Sequence, residues 1–266
     1  MVTLPNCTTV ESQLWHPQLG DLRNQTIEEF CQAFGLSATP MRSIVLATDQ
    51  RTGSEWLCSL MANTRRLGTP CEYLNAPWMQ LFVQGYPTSV ETQIKIAHTV
   101  GTSSNGVFAM KLHPWHFDLL AGKVPFAVAF PSPVFVYLYR EDRLGQALSL
   151  VRASQTGSYH AFTDVKVDPV YDTAAIMATL RSLTANQARW ECYFARNNIS
   201  PLRISYEKLV ESPIEQLRAI AGFAMVELDN FETPLARGLK IQRDEQTEEW
   251  RRRFHAESGC LDYLDP

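Results

Sequence analysis

The chemistry-bearing residues of this chain gather first in Thr48-Asp49-Gln50-Arg51-Thr52-Gly53-Ser54, which follows the apolar run Ile44–Ala47 and precedes a stretch with helical periodicity. Strand, short polar loop and helix in that order present backbone N–H groups and a helix N-terminus to a phosphate. Arg51 adds a permanent positive charge, so Arg51 and the N–H groups of Thr52, Gly53 and Ser54 read as an anion cradle, with Gln50 and Glu55 at its ends. A triphosphate-binding loop would place Lys after the Gly, where it reaches the outer phosphates. Ser54 stands there instead, which argues against nucleotide hydrolysis and against an ATP- and Mg²⁺-dependent phosphotransferase. The competing reading makes Thr52-x-x-Glu55 no more than a capping box on an ordinary strand-to-helix loop.

Two further strand patterns end in polar groups. Gly106–His113 is an apolar run that finishes in Lys111 and His113, and Val134–Tyr139 is followed by Arg140-Glu141-Asp142-Arg143. Leu144, Ala147, Leu148 and Val151 then fall at i, i+3, i+4 and i+7, the inner face of a helix. Helical spacing also marks Trp56, Leu57, Leu60, Met61 and Leu67, with Gly68 as the stop, then Val90–Thr99, and then Ile176, Leu180, Leu183, Trp190 and Phe194. Leu202–Tyr206 reads as a fourth strand, and Ser212-Pro213-Ile214-Glu215 as a helix start with cap, Pro at N1 and Glu at N3. Strands near 43, 107, 135 and 203 alternating with helices predict an α/β fold with a mostly parallel central sheet flanked by helices. Ligands in such sheets bind at the carboxyl ends of the strands, where these polar loops converge.

Residues 1–40 read as an N-terminal extension packing on a main domain of residues 41–266. Within it, Thr26 and Glu29 have capping-box spacing, and Ile27, Phe30, Cys31 and Phe34 form an apolar face before Gly35. The 266 residues are 45% hydrophobic, ample for a packed core, and the net charge of −4 gives no basic field for nucleic acid or an anionic membrane. The start of the chain lacks the plan of a signal peptide, and the nearest approach to a membrane span, Val124–Tyr139, is broken by Pro125, Pro131 and Pro133. A soluble cytoplasmic protein is the default expectation. The six cysteines show no C-x-x-C pair and are expected as reduced thiols. His16, His98, His160 and His255 lack ligand spacing, so no metal is expected.

In order along the chain, Thr48–Ser54, Gly106-Val107-Phe108 to Lys111-Leu112, Tyr139–Asp142 with Gln146–Ser149, Arg152-Ala153 with Gln155-Thr156, and Gln242-Arg243 with Glu248-Glu249-Trp250 resemble the motifs of sulfotransferases that use 3′-phosphoadenosine 5′-phosphosulfate (PAPS). More narrowly, residues 42–255 are similar to the bacterial trehalose-sulfotransferase-like family, whose loop commonly reads S-Q-R-S-G-S. The resemblance implies a P-loop-like sulfotransferase fold. It also implies sulfuryl transfer from PAPS to a hydroxyl or amine of a small-molecule or carbohydrate acceptor, leaving adenosine 3′,5′-bisphosphate.

The same resemblance assigns roles. Residues 50–54 would hold the 5′-phosphosulfate, and Arg140 and Ser149 the 3′-phosphate, with Arg243 closing over it. An Arg fork and a neutral hydroxyl suit a phosphate dianion. Lys111 would supply charge to the bridging oxygen. Two residues compete as the base: Glu72, which aligns with the acid of the trehalose-type enzymes, and His113, because Lys111-Leu112-His113 resembles the Lys-Thr-His of cytosolic animal sulfotransferases. Glu55 departs from the family, which has a small hydroxyl residue there, and it favours the alternative of a catalytically silent anion-binding protein. The acceptor's identity is open, as is whether the chain forms a homo-oligomer.

Overall fold

The computed structural model describes residues 26–34, 39–159, 167–228 and 245–260. In chain order they form α1 (Ile27–Phe34), β1 (Arg42–Thr48), α2 (Ser54–Asn63), α3 (Ala76–Met79), α4 (Val90–Gly101), β2 (Val107–Leu112), α5 (Pro114–Leu120), α6 (Phe126–Ala129), β3 (Pro133–Tyr139), α7 (Arg143–Thr156), α8 (Thr173–Arg196), β4 (Leu202–Ser205), α9 (Tyr206–Glu211), α10 (Pro213–Phe223) and α11 (Glu245–Ser258). The four strands make one parallel sheet in the order β2-β1-β3-β4, with Val45 beside Met110 on one side and Phe135 on the other.

Strand alternation sends the two faces of this sheet into two cores. Val45, Ala47, Met110, Leu112, Phe135 and Tyr137 join α4 and the aromatic side of α8, including Trp190 and Phe194. Ile44, Leu46, Ala109, Val136, Leu138 and Ile204 join Leu57, Leu60 and Met61 of α2, Leu209 of α9 and Leu217 and Ile220 of α10. Burial on both faces is why β1, β2 and β3 read as largely apolar runs. A third cluster, with Leu148, Val151, Ile176, Trp250 and Phe254, packs α7, α8 and α11 together.

The chain leaves β1 for β2 on one side, then crosses to β3 on the other. The loops after β1 and β3 therefore diverge over the point where the strand order reverses, which is where such sheets open a crevice.

The sequence expectations need correcting at three places. α2 ends at Asn63 rather than at Gly68, because the Thr64 hydroxyl donates to the Met61 carbonyl and accepts from the N–H groups of Arg66 and Leu67. Gly68 (φ +72°) has a different duty: a Cβ there would lie 2.6 Å from the Ala109 nitrogen of β2, so it lets the chain approach the sheet. β4 stops at Ser205, whose side chain accepts from the Lys208 N–H and starts α9, so Tyr206 opens a helix. At α10, Pro213 stands at N1 as expected, but the Ser212 side chain makes no cap bond.

The Thr26–Glu29 capping box is formed in both directions, and Ile27 and Cys31 of α1 pack against the first core. Cys31, Cys58, Cys71, Cys192 and Cys260 are free thiols, while Cys7 lies outside the described residues. Burial pushes the Cys71 thiol up to about 12, so it is an inert core group. Among the described residues no helix is long and apolar enough to cross a membrane.

Candidate active site

The loop after β1 is braced from below. The Thr52 hydroxyl bonds that of Thr48 at 2.7 Å, so it faces the sheet, and the N-cap position of α2 falls to Gly53 rather than to Thr52. The Trp190 indole N–H donates to the Thr48 carbonyl, and the buried Gln146 amide donates to the Gln50 carbonyl at 2.6 Å. Gly53 occupies the N-cap of α2 in the left-handed region and has no side chain to cap the helix, which leaves first-turn N–H groups for another acceptor. A Cβ at Gly53 would lie 2.7 Å from the Tyr206 ring, so glycine is required by φ and by space alike.

Arg51, in the loop ahead of α2, has a left-handed backbone (φ 61°). Its Nε donates to the Ser149 hydroxyl on α7 at 2.9 Å and its Nη1 to the Tyr159 carbonyl at 2.6 Å. Arg140, at the end of β3, donates from Nη1 to the Arg51 carbonyl at 3.4 Å and lies 5.0 Å from the Tyr206 ring centroid. Arg51, Arg140 and Ser149, which lie far apart in sequence, thus meet beside the α2 N-terminus. Burial lowers the Arg51 pKa, Glu55 opposes this and Arg140 adds to it; an arginine stays charged regardless. Glu55, in the first turn of α2, is accordingly a counter-charge to Arg51, in a position the helix dipole also favours. Arg243 lies outside the described residues.

At the end of β2, Lys111, His113 and Glu72 form one cluster. The Lys111 N–H donates to the Cys71 carbonyl, a main-chain bond that sets residue 72 beside the strand end. Lys111 Nζ lies 2.7 Å from Glu72 Oε1 and His113 Nε2 lies 3.1 Å from the same oxygen, while Asn75 Nδ2 donates to Oε2 at 2.7 Å. The Lys111 and His113 side chains are 3% exposed and that of Glu72 is 13% exposed, so the carboxylate is the member that solvent reaches. Burial alone would raise the Glu72 pKa, but Lys111 and then His113 outweigh it and hold the carboxyl well below its usual range. Burial would likewise depress Lys111, and Glu72 reverses this and keeps the ammonium above its ordinary value. His116, buried behind them, is pushed down to about 3 by burial and by His113, so its ring is neutral. The His113 ring stacks on Trp115 with centroids 4.3 Å apart.

Sequence reasoning missed four contributors. Tyr206 was placed in a strand, and Gln146, Asn75 and Trp190 act through contacts to residues distant in the chain or inside a Pro-broken stretch. Only the Asn75-Ala76-Pro77 order, a cap followed by Pro in the first turn, signalled the short helix α3 that fixes Asn75.

The model of the family described as Stf0 sulphotransferase matches residues 43–257, which contain every one of these groups. The chain belongs to the Stf0 sulphotransferase family. As a member of it, the chain is a sulfotransferase. It is 29% identical over 262 residues to a trehalose 2-sulfotransferase of Mycobacterium tuberculosis (strain ATCC 35801 / TMC 107 / Erdman), covering 82% of this chain and 96% of that protein. It is 23% identical over 268 residues to a trehalose 2-sulfotransferase of Mycolicibacterium smegmatis, covering 84% and 97%. Among solved structures, the sulfotransferase domain from the Synechococcus PCC 7002 olefin synthase is similar with a TM-score of 0.40 and 14% identity, covering 88% of this chain and 98% of that one.

Proposed function

We propose that this Stf0 sulphotransferase uses PAPS as its donor and sulfates a hydroxyl of a small carbohydrate acceptor, with Glu72 receiving the acceptor's proton. The observation that carries this reading is the meeting of Arg51, Arg140 and Ser149 beside the open N-terminus of α2, in a fold that also sets the partly buried Glu72 carboxylate at the end of β2. Two arginine forks, a hydroxyl and a row of N–H groups suit a ligand with two separate phosphate-type anions. The N–H groups of Thr52, Gly53 and Ser54 would take the 5′ end, and Arg140 with Ser149 the 3′-phosphate. Arg51, which reaches Ser149, would lie between the two. PAPS, when bound there, supplies a sulfuryl group already activated on a phosphate leaving group.

Glu72 is preferred over His113 as the base because of what each faces. The Nε2 of His113 is engaged with Glu72 and the ring is buried, whereas Glu72 keeps the exposed edge of the cluster. Its lowered pKa keeps it ionised at neutral pH. A weak base of this kind accepts the proton late, as the acceptor oxygen grows acidic on bonding to sulfur. Lys111, fixed on Glu72, acts here as the counter-charge of the base rather than as a ligand of the bridging oxygen. A carbohydrate acceptor follows from the trehalose 2-sulfotransferases similar to this chain.

The test is calorimetric binding of adenosine 3′,5′-bisphosphate together with transfer from isotope-labelled PAPS to trehalose and a panel of mono- and disaccharides. Bisphosphate binding with transfer to a sugar is expected. No detectable bisphosphate binding would overturn the donor assignment, and binding without transfer to any sugar would overturn the acceptor class.

A further inference from the structure

Arg251 lies on α11 within the basic run Arg251–Arg253 and is folded onto the Arg140 turn. Its Nη1 lies 3.1 Å from Asp142 Oδ1 and its Nη2 2.7 Å from Asp142 Oδ2, a fork closed on a carboxylate. Asp142 is also the N-cap of α7, accepting from the Gly145 N–H at 2.9 Å, and its Oδ2 lies 3.8 Å from Arg140 Nη2. A Cβ at Gly145 would come within 2.1 Å of Asp142 Oδ2 and 2.8 Å of Arg251 Nη2, so the pair sits directly on the first turn of α7. From the other side the Glu207 carboxylate accepts the N–H groups of Glu141 and Asp142 at 3.0 and 3.3 Å. α11 is itself anchored by Trp250 and Phe254 in the third core and by a hydrogen bond from Arg152 to Thr247.

We propose that Arg251 is a positioning residue for donor binding: by occupying the Asp142 carboxylate, it keeps that anion from competing with the donor's 3′-phosphate for Arg140. This rests on the PAPS reading above. Asp142 stands between two guanidinium groups and its charge is shared. Removing Arg251 leaves a larger share of that charge to Arg140, which is both drawn toward Asp142 and electrostatically compensated by it. The same carboxylate that caps α7 then becomes an internal rival of the ligand.

The experiment measures adenosine 3′,5′-bisphosphate affinity by calorimetry in the full-length protein and in Arg251→Met, Arg251→Lys, Asp142→Asn and Arg251→Met/Asp142→Asn, with melting temperatures alongside. Asn serves as an N-cap about as well as Asp, so the double variant keeps the cap while losing the rival charge. Arg251→Met is expected to bind about tenfold or more weakly. Arg251→Lys should recover part of the loss, and the double variant should return to within about threefold of wild type. A purely structural role for Arg251 predicts the opposite for the double variant, which would bind no better than Arg251→Met and melt no higher. That outcome, or equal affinity of Arg251→Met and wild type, overturns the proposal. If the wild type itself fails to bind bisphosphate, it is the donor assignment that falls, and with it the premise here.

Discussion

Replacing Lys111 by Met removes the principal cation from a carboxylate that the fold keeps ionised. At 2.7 Å the Lys111–Glu72 attraction is on the order of 6 kcal/mol at an effective dielectric of about 20, and desolvation of the two ions offsets several kcal/mol of it. Deleting one partner of a buried pair leaves the other uncompensated, at about 3–5 kcal/mol. Glu72 is held below its unfolded value of about 4.3, so its stabilisation is complete above that pH and is lost as pH falls through the folded value. Lys111 is held above its unfolded value of about 10.4, so its stabilisation is complete below that pH and is lost as pH rises through the folded value. The stability difference between wild type and Lys111→Met should therefore be flat from the pH at which the variant's Glu72 is fully ionised up to about pH 10; it shrinks above that, and it shrinks below as the stranded carboxyl takes up its proton at a higher pH than in wild type. Urea unfolding at pH 5, 7.5 and 10, with an unchanged m-value, measures it. The Glu72→Gln/Lys111→Met double variant should recover a large part of the loss, since neither charge is then stranded. In the single variant, the acid limb of the pH–rate profile should move to higher pH. A loss below about 1 kcal/mol with an unmoved acid limb would refute the view of Lys111 as the counter-charge of Glu72.

Further outcomes are expected elsewhere. Gly68→Ala forces a left-handed residue against the Ala109 backbone and should cost about 2–4 kcal/mol by calorimetric melting, with bisphosphate affinity unchanged. Arg140→Lys keeps the charge but loses the fork, and should weaken bisphosphate binding about 10- to 100-fold in calorimetry while leaving the acceptor KM alone. His116, pushed down to about 3, should show no titration of its ring NMR signals from pH 8 to 5. Because the unfolded chain takes up that proton near pH 6.5 and the folded one does not, His116→Gln should lessen the fall in stability between pH 7 and 5, read by urea midpoints.

The sheet was legible because β1, β2 and β3 are buried on both faces and so spell largely apolar runs, while β4 shows alternation around the exposed Arg203; the expectation for β3 began one residue inside its true start. The loop at 48–54 and the Arg140–Ser149 pair were legible as motifs, and the structure brings Arg51, Arg140 and Ser149 together. Other features had no local signature. The Gly68 assignment failed because a side-chain cap by Thr64 ended the helix first, and a glycine needed for close approach looks in sequence like a glycine that stops a helix. Tyr206 was misplaced because an aromatic residue after Leu202–Ser205 extends a β pattern, while the cap that turns the chain depends on the Ser205 hydroxyl. The short helices α3, α5 and α6 lie in Pro-broken stretches below the length at which periodicity can be read. Lys111 reads as a strand-end cation free to meet a ligand; only three-dimensional contact with Glu72 shows where its charge goes.

The main-chain bond from the Lys111 amide to the Cys71 carbonyl has a consequence for self-association. Among the described residues β2 is an outer strand of the sheet, and an outer strand with open amides can template pairing with another molecule. The segment that delivers Glu72 lies along that border and occupies the amide of Lys111. The segment that sets Glu72 in place is thus also the one that seals this border, and changes at 68–72 alter how well it is sealed.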